Sequence, residues 1–366
     1  MTDAAFPFVT IGIPCLNEEK FIAAVVERVL EMDYPPDRME VLVADGGSTD
    51  RTLDILRELE RRDVRLLTIP NPARIQAAGM NEIVRRARGE IVIRLDAHAD
   101  YARDYVRRCV EVLRETGADN VGGAARARAQ NGFQRALCAA LDSPLGVGGS
   151  KYRDADNEGY VESVFNGAFR RSVFERAGLY DPGAITNEDA ELNQRILAAG
   201  GRIYLSRKIV AYYYPRDSLS GLARQYFKYG KGRARTLLKH RELPSWRPLV
   251  PFAFVVGGAA LLLSGRRRLT AAVFTTYALG AAFEAVRVGR RVGWWAPPVV
   301  AVIFPVLHVA HGVGMAVGLQ HYVRHPDWHP PERLDPTTST AAEAPVRPPG
   351  PPRPVSAPPA CDTTPV

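Results

Sequence analysis

Cysteine is scarce in this sequence, and its few cysteines lie far apart. No two form a C-x-x-C pair; they are Cys15, Cys109, Cys138 and Cys361. Such wide spacing excludes the patterns that are typical of a disulfide framework or a zinc site. We therefore expect reduced thiols that take no part in the chemistry.

The N-terminus lacks a recognisable secretion signal. Its first residues, MTDAAFPFVTIGIPC, contain no basic segment followed by an apolar one. This composition excludes the usual pattern of a cleaved signal peptide. We expect the first half of the chain to fold in the cytoplasm.

Acidic residues are fewer than basic ones. Among 366 residues, 48 Lys and Arg stand against 40 Asp and Glu, which gives a formal net charge of +8. Such an excess is typical of proteins that bind nucleic acid, an anionic membrane surface or a phosphorylated substrate. Nucleic acid is the poorest of these interpretations, because the arginines are not interleaved with aromatic residues on a recognisable module.

Short apolar runs alternate with segments of helical periodicity in the first 110 residues. The pattern predicts strands at residues 8–14, 40–44, 64–69 and 90–95, and helices at residues 18–32, 52–62 and 76–88. Asn17 is placed to cap the first helix, and Ser48 or Thr49 to cap the second. This alternation indicates parallel βαβ units, in which ligands bind beyond the carboxyl ends of the strands.

Polar residues follow the first two predicted strands. Pro14 leads into Asn17 and Glu18, and Asp45 opens the turn DGGSTD at residues 45–50. The two glycines let the backbone approach a ligand, and Asp45 could accept hydrogen bonds from a base or ribose. The same segment is also compatible with an ordinary turn in which Asp50 caps a helix.

The fourth predicted strand ends in DAHAD, residues 96–100. Asp96 and His98 share one side of an extended segment, because alternate residues share a face. This donor pair suits a divalent cation that keeps open positions for phosphate oxygens. The alternative is a solvated loop without a metal, in which Asp100 caps a helix.

Four motifs, in order and spacing, resemble family 2 glycosyltransferases with the GT-A fold. The motifs are IGIPCLNEEKFI, VLVADGGSTDRT, GEIVIRLDAHADY and, at residues 165–196, FNGAFRRSVFERAGLYDPGAITNEDAELNQRI. Together they cover about residues 7–235 and are most similar to succinoglycan-type exopolysaccharide glycosyltransferases. The resemblance implies an α/β fold of Rossmann-like GT-A type, a mixed and mostly parallel sheet with helices on both faces, followed by C-terminal membrane helices.

The resemblance also implies roles for individual residues. Asp45 would bind the donor base, and Pro14, Asn17 and Glu18 would line the same nucleotide pocket. Asp96, a further residue of the nucleotide-sugar site, and His98 would hold a divalent metal, Mg or Mn. The histidine departs from the D-x-D motif of the family, which leaves the preferred ion open.

An acidic pair in the last motif resembles the catalytic carboxylates of the family. Asp189 would be the general base, with Glu188 supporting it, and a single displacement would invert the anomeric configuration. Acidic residues are also favoured in the first turn of a helix by the helix dipole. The two interpretations are compatible.

A basic segment follows the catalytic motifs. Many membrane-bound relatives carry Q-x-x-R-W, and here QYFKY at residues 225–229 has Lys for Arg and Tyr for Trp. We assign Gln225 and Lys228 to nucleotide-sugar binding. The segment could close over a diphosphate or rest on lipid headgroups, and a basic juxtamembrane surface without a catalytic role is the alternative.

Three uncharged stretches follow, at residues 248–264, 269–283 and 293–319. The third is long enough to span a bilayer, the first is marginal and the second is short, with Glu284 marking its end. Three full spans would place Arg266, Arg267 and Arg268 outside, against the positive-inside tendency, whereas a shallow re-entrant pair would keep them inside. Membrane attachment is predicted without an exact number of spans.

The predicted organisation has three parts. Residues 1–240 form the catalytic domain, residues 246–322 a membrane-associated helical region, and residues 323–366 a proline-rich disordered tail. The predicted function is an inverting glycosyltransferase that uses a UDP- or GDP-sugar and extends a polysaccharide or a lipid-linked oligosaccharide at the cytoplasmic membrane face. The alternatives are a polyprenyl-phosphate sugar transferase and a catalytically silent membrane scaffold.

Overall fold

The computed structural model describes residues 6–149, 151–242, 245–328 and 330–335. Its strands are β1 Val9–Cys15, β2 Met39–Asp45, β3 Leu66–Pro70, β4 Ile91–Arg94, β5 Ala99–Tyr101, β6 Asn120–Gly123, β7 Arg126–Ala127, β8 Gly159–Tyr160, β9 Phe165–Arg170, β10 Ile203–Leu205 and β11 Ala211–Tyr213. Its helices are α1 Ile22–Leu30, α2 Thr52–Arg62, α3 Gln76–Arg86, α4 Tyr105–Thr116, α5 Gly132–Leu141, α6 Pro144–Val147, α7 Val173–Arg176, α8 Glu188–Ala198, α9 Leu219–His240, α10 Leu249–Leu263, α11 Arg267–Gly289 and α12 Ala296–Arg324.

Eight strands form the central sheet, in the order β3-β2-β1-β4-β9-β6-β10-β8. The strands β3, β2, β1 and β4 are parallel neighbours, as βαβ units require, and β9 runs antiparallel between β4 and β6. Cys15 at the end of β1 is level with Asp45 at the end of β2. The polar segments that follow these strands therefore start from the same edge of the sheet.

Helices cover both faces of this sheet, because alternate residues of each strand face opposite sides. On β2, Val41 and Val43 lie in a core that also contains residues of α1, α2 and α4. Leu42 and Ala44 lie in a second core with residues of α3 and α8. The predicted GT-A arrangement, a mixed and mostly parallel sheet with helices on both faces, is confirmed.

The two predicted helix caps were wrong, although helix α2 has the predicted bounds. Helix α1 begins at Ile22, after a turn, and no side chain caps it. The first N–H of α2, that of Thr52, donates to Asp50 Oδ1 at 3.0 Å, so Asp50 takes the role that was assigned to Ser48 or Thr49. A carboxylate two residues before the helix reaches this N–H directly, and Asn17 is used elsewhere in the loop.

Two C-terminal helices, α11 and α12, are long and apolar enough to cross a membrane, and α10 is a shorter apolar helix. The second uncharged stretch was predicted to be short and to end at Glu284, which was wrong. Helix α11 continues to Gly289, and Glu284 accepts hydrogen bonds from Arg287 at 2.6 Å and from Ser143 at 2.5 Å. Because its carboxylate has these partners, Glu284 lies within the span of α11 and does not end the helix.

The first part of the predicted disordered tail is ordered. Helix α12 continues to Arg324, and Leu334 is buried in the core with residues of α3 and α8. The Leu179 N–H donates to the Glu332 carbonyl at 2.7 Å, and Arg85 pairs with the Glu332 carboxylate at 2.6 Å. Residues 336–366, with Cys361, lie outside the described residues.

Candidate active site

The turn after β2 is organised by Asp45. Its Oδ2 accepts hydrogen bonds from the Gly47 N–H at 2.8 Å and the Ser48 N–H at 3.0 Å, and its Oδ1 accepts one from Ser48 Oγ at 2.5 Å. The carboxylate is almost fully buried. It therefore shapes the turn that would face the nucleotide, and its predicted contact with the base stays a prediction.

Asn17 joins the loop after β1 to the turn after β2. Its backbone has φ of 56°, a conformation that asparagine tolerates better than most residues. Its N–H donates to Ser48 Oγ at 2.8 Å, and its Oδ1 accepts from the Thr49 N–H at 2.8 Å. The next N–H, that of Glu18, donates to Thr52 Oγ1 at 2.8 Å. Two of the residues predicted for the nucleotide pocket thus lie in one hydrogen-bonded loop pair.

Cys15 lies at the end of β1 against this turn. Burial, together with the nearby Asp45 carboxylate, raises the pKa of the Cys15 thiol well above its usual range. Cys15, Cys109 and Cys138 are free thiols. A thiol with so high a pKa is a poor nucleophile, and the absence of these cysteines from the chemistry stays a prediction.

The buried guanidinium of Arg94 brings the metal motif and the acidic pair together. Arg94 ends β4, and its side chain is 4% exposed. It pairs with Asp189, with Glu188 Oε1 at 3.1 Å and with Asp96 Oδ1 at 3.4 Å. Three carboxylates that would repel one another are held around one cation, which offsets the cost of burying them.

Asp189 has the electrostatic environment of a general base. It lies in the first turn of α8, and its side chain is about one-third exposed, at 33%. Burial raises the pKa of Asp189 to about 7, with Glu188 adding to the rise and Arg94 opposing it. A carboxylate with a pKa near neutrality both accepts a proton readily and is available in its ionised form at physiological pH.

Asp96 and His98 follow Arg94 as the sequence predicts. The contacts of Asp96 with Arg94 and with Gln76 Nε2, at 3.1 Å, both use Oδ1. His98 is half-exposed, and its Nδ1 lies 3.3 Å from Glu18 Oε1, a contact that raises the pKa of His98.

The donor set at Asp96 and His98 fits a metal only if a ligand completes it. Among the described residues, no group of three or more His, Cys, Asp and Glu side chains is arranged to hold a metal ion. One carboxylate and one imidazole suit Mn²⁺ or Mg²⁺ when phosphate oxygens and water supply the other positions. The residues present therefore fit an ion that arrives with a diphosphate.

Helix α9 holds the loop that carries the acidic pair. Thr186 Oγ1 donates to the Lys228 carbonyl at 3.0 Å, and Asn187 Nδ2 donates to the Tyr229 carbonyl at 3.1 Å. Gly232 permits this approach, because a Cβ there would lie 2.6 Å from Thr186 Oγ1 and 2.7 Å from Asn187 Nδ2. The backbone of α9 thus fixes the start of α8, where Asp189 lies.

Gln225 and Lys228, the two residues predicted from the basic segment, have different surroundings in the structure. Gln225 Nε2 donates to Tyr229 Oη at 3.0 Å, one turn along α9. The side chain of Lys228 lines a cavity with Arg224 and Lys231. That cavity is not lined by Asp45, Asp96 or the loop after β1.

Comparison with known proteins places this site in a family. The model of the family "Glycosyl transferase family 2" matches residues 10–178. The succinoglycan biosynthesis protein ExoA of Rhizobium meliloti is 38% identical over 309 residues, which cover 83% of this chain and 92% of that protein.

The chain belongs to glycosyl transferase family 2.

Two further proteins are similar to this chain, one in sequence and one in fold. A Methanococcus voltae enzyme, named as a dolichyl N-acetyl-alpha-D-glucosaminyl phosphate 3-beta-D-2,3-diacetamido-2,3-dideoxy-beta-D-glucuronosyltransferase, is 29% identical over 70% of this chain and 82% of its own. The mannosyltransferase PcManGT of Pyrobaculum calidifontis, solved with GDP-Man and Mn²⁺, superposes with a TM-score of 0.61 at 22% identity, covering 86% of this chain and 87% of its own. The fold is GT-A, and the chain is a glycosyltransferase.

The sequence analysis missed Arg94, the residue that joins the motifs of this glycosyltransferase. The signal was present, since Arg94 is the one charged residue of the strand β4 IVIR. A charged residue in a strand that is buried on both faces requires an ionic partner. Two of the partners, Glu188 and Asp189, lie about 95 residues away along the chain, and no local pattern identifies them.

Proposed function

We propose that this glycosyltransferase moves a sugar from a nucleotide-sugar donor to a polysaccharide or lipid-linked oligosaccharide acceptor at the cytoplasmic face of the membrane, with inversion at the anomeric carbon. The observation that carries this proposal is the cluster of Asp96, Glu188 and Asp189 around the buried Arg94. The carboxylate of the predicted metal motif and the predicted base both contact Arg94, so the groups that would act on the leaving diphosphate and on the acceptor lie close together.

In this mechanism Asp189 removes the proton from the acceptor hydroxyl as that oxygen attacks the anomeric carbon. Arg94 orients Asp189 through their ion pair, and Glu188 shares that cation. The loop made by Asn17, Glu18 and the turn of Asp45 binds the nucleotide. The carbon–oxygen bond to the nucleoside diphosphate breaks in the same step, so no enzyme nucleophile is needed.

Asp96 and His98 would hold a divalent metal in this site. Such an ion, when bound, offsets the negative charge that develops on the departing diphosphate. Glu18 competes for His98 through its contact at 3.3 Å. Lowering the pH protonates His98, whose pKa is raised, so metal binding should weaken and a higher metal concentration should be needed in acid.

The proposed acceptor and location are supported by two relatives and by the apolar helices. The names of two relatives refer to succinoglycan biosynthesis and to a dolichyl-linked sugar phosphate, and α11 and α12 are long enough to cross a membrane. A sugar transferase that acts directly on polyprenyl phosphate remains the second enzyme candidate. The silent-scaffold alternative does not account for three carboxylates gathered around the buried Arg94 at the end of β4.

Nucleotide release from a panel of UDP- and GDP-sugars tests the proposal. The full chain, purified in detergent and supplied with lipid extract, is assayed with Mn²⁺, with Mg²⁺ and with a chelator. We expect release that needs the metal and that falls by about 10²- to 10⁴-fold in kcat in an Asp189→Asn variant, because the general base is lost. Donor binding should remain.

Asp54→Asn is the matched control, since Asp54 is an exposed carboxylate on α2 that pairs with Arg57 at 3.4 Å. It should behave as the wild type. An Asp189→Asn variant with the wild-type rate would contradict the assignment of the base. Absence of donor binding by both wild type and Asp96→Ala would favour the scaffold.

A further inference from the structure

A cavity of about 640 Å³ opens beside residues 183–186, in the loop that leads into α8. We call this segment the catalytic loop and the cavity the α9 cavity. Ile185 and Thr186 form one side of it, Phe227, Lys228 and Lys231 of α9 form the second, and Val313 of α12 lies on the third. Its volume lies within the range of small-molecule sites in proteins.

Three cations on one stripe of α9 face this cavity without an acidic partner. Arg224, Lys228 and Lys231 follow one another at i, i+4 and i+7 and line the cavity. Among the described residues, none of the three pairs with a carboxylate, whereas Arg235, the next cation of the stripe, pairs with Asp181 at 2.7 Å. The cavity therefore has a local positive charge that an anion would offset.

The remaining walls of the α9 cavity are apolar. Ile185 is 72% exposed, an unusual position for a large aliphatic side chain unless something covers it. Phe227, Ala310 and Val313 complete this surface, and the latter two belong to α12, one of the helices long enough to cross a membrane. A fully polar anion would leave these apolar walls exposed to water. An anion that carries an apolar chain would cover them.

The cavity adjoins the general base through the chain itself. Thr186 lines the cavity and precedes Asp189 by three residues, so their Cα atoms are at most about 11 Å apart. The hydrogen bond from Thr186 Oγ1 to the Lys228 carbonyl ties this loop to the cationic helix. A ligand held by its phosphate in the cavity can therefore extend a sugar towards Asp189.

We propose that the α9 cavity binds the phosphate and the adjoining apolar chain of a lipid-linked acceptor. The inference rests on the proposed function, and it assigns Lys228 to the acceptor instead of the nucleotide-sugar. Lys228 and Lys231 contact the phosphate oxygens, and Phe227, Ala310 and Val313 pack on the chain.

Binding of farnesyl phosphate by the full chain tests the proposal. The protein is placed in phosphatidylcholine nanodiscs and titrated with farnesyl phosphate, with farnesol and with inorganic phosphate, and nucleotide release from the donor without acceptor is followed in the same preparations. We expect binding of farnesyl phosphate that neither inorganic phosphate nor farnesol reproduces at equal concentration, because both the charge and the chain contribute.

Substitutions distinguish the cavity from other lipid contacts. Lys228→Gln and Lys231→Gln should each weaken farnesyl phosphate binding by about 10-fold, the loss that removal of one charged hydrogen-bonding partner produces. Lys208→Gln is the control, since Lys208 pairs with Glu115 on another part of the surface. Ala310→Phe, which fills the apolar side, should weaken binding of farnesyl phosphate more than binding of inorganic phosphate.

The outcomes separate this inference from the proposed function. The cavity assignment alone would be overturned if the wild type releases nucleotide normally while Lys228→Gln, Lys231→Gln and Ala310→Phe bind farnesyl phosphate as the wild type does. If inorganic phosphate binds as tightly as farnesyl phosphate, the cavity is a phosphate site, and the proposal that it binds a lipid chain is overturned. A wild type that releases no nucleotide from any donor would remove the proposed function and, with it, the role of the cavity as an acceptor site.

Discussion

At the scale of single residues, Arg94 decides how this site works. A buried guanidinium shared by three carboxylates is stable only while the partners stay in place, because a buried charge without a partner is costly. Arg94 thereby links the predicted metal motif at Asp96 to the predicted base at Asp189. In the proposed mechanism it is a positioning residue whose charge also acts on the proposed base.

The pH dependence of the wild type follows from Asp189. Its pKa is raised to about 7, and only the ionised form accepts a proton. We expect kcat/KM to rise as the pH increases through about 7 and then to level off as Asp189 becomes fully ionised. Measuring kcat/KM from acid to alkaline pH at saturating metal checks this, and a rate that is flat down to the ordinary pKa of aspartate would contradict it.

Replacing Arg94 should shift that profile. In Arg94→Met the cation that favours the carboxylate form is lost, so the pKa of Asp189 rises and the acid limb moves to higher pH. Arg94→Lys retains the positive charge but loses the planar guanidinium group. The acid limb of its kcat/KM profile should therefore lie nearer to that of the wild type, with a lower kcat. An equal fall in rate at every pH in both variants would indicate a structural role only.

At the scale of elements, α9 is the connection between the catalytic loop and the C-terminal helices. On its inner side Gly232 meets Thr186 and Asn187. On its outer side Gly230 meets the His311 carbonyl of α12, and Gly314 of α12 meets the Phe227 carbonyl of α9, each at about 2.1 Å from where a Cβ would lie. Close backbone approach at both places makes the position of the base depend on how α9 and α12 pack.

Gly232→Ala tests this dependence. The new methyl group would lie within 2.8 Å of three atoms of Thr186 and Asn187, so the loop must move. A displacement of about 1 Å at a base can reduce kcat by about 10²-fold, with donor binding preserved. The measurement is kcat beside the KM for the donor.

The control for this substitution is Gly257→Ala in α10, where a Cβ would meet nothing within 4 Å. It changes the same residue type in a helix and should leave kcat unchanged. Equal losses in the two variants would mean that helix propensity, and not the contact with the loop, explains the effect.

At the scale of the whole molecule, a GT-A catalytic part is joined to helices with a large apolar surface. Leu263 at 89%, Phe283 at 73% and Trp294 at 91% exposure lie on α10, on α11 and just before α12. An exposed apolar surface of this extent is typical of a membrane or protein interface. The cations of the α9 cavity, which pair with no carboxylate among the described residues, lie beside it, as a lipid with an anionic head requires.

Membrane retention tests this arrangement. We expect the full chain to stay in the membrane fraction after washing with concentrated salt and after washing at alkaline pH, and to dissolve in detergent, because apolar contacts do not weaken with ionic strength. Release by salt would instead indicate attachment through the basic residues alone.

Local sequence patterns were sufficient to predict much of the fold of this protein. The strands β1, β2 and β4 and the helix α2 follow from apolar periodicity and turn residues, and the GT-A fold and glycosyltransferase family follow from four ordered motifs. The cap of α1 and the end of α11 were mistaken, and at α2 the alternative cap, Asp50, is the one observed. The Ser143–Glu284–Arg287 contacts supply partners that periodicity does not reveal. The ordered segment at Leu334 depends in the same way on a distant core.

By itself the sequence determined which residue types follow each strand, since hydrophobic periodicity and motif order are properties of neighbours along the chain. Only the tertiary structure decided that Arg94 joins Asp96 to Asp189, and that Lys228 lines a cavity whose walls include neither Asp45 nor Asp96. The reason is physical: burial and the approach of charges from distant segments determine a pKa and an ion pair. Those quantities exist only once the sheet, α8, α9 and α12 have packed together.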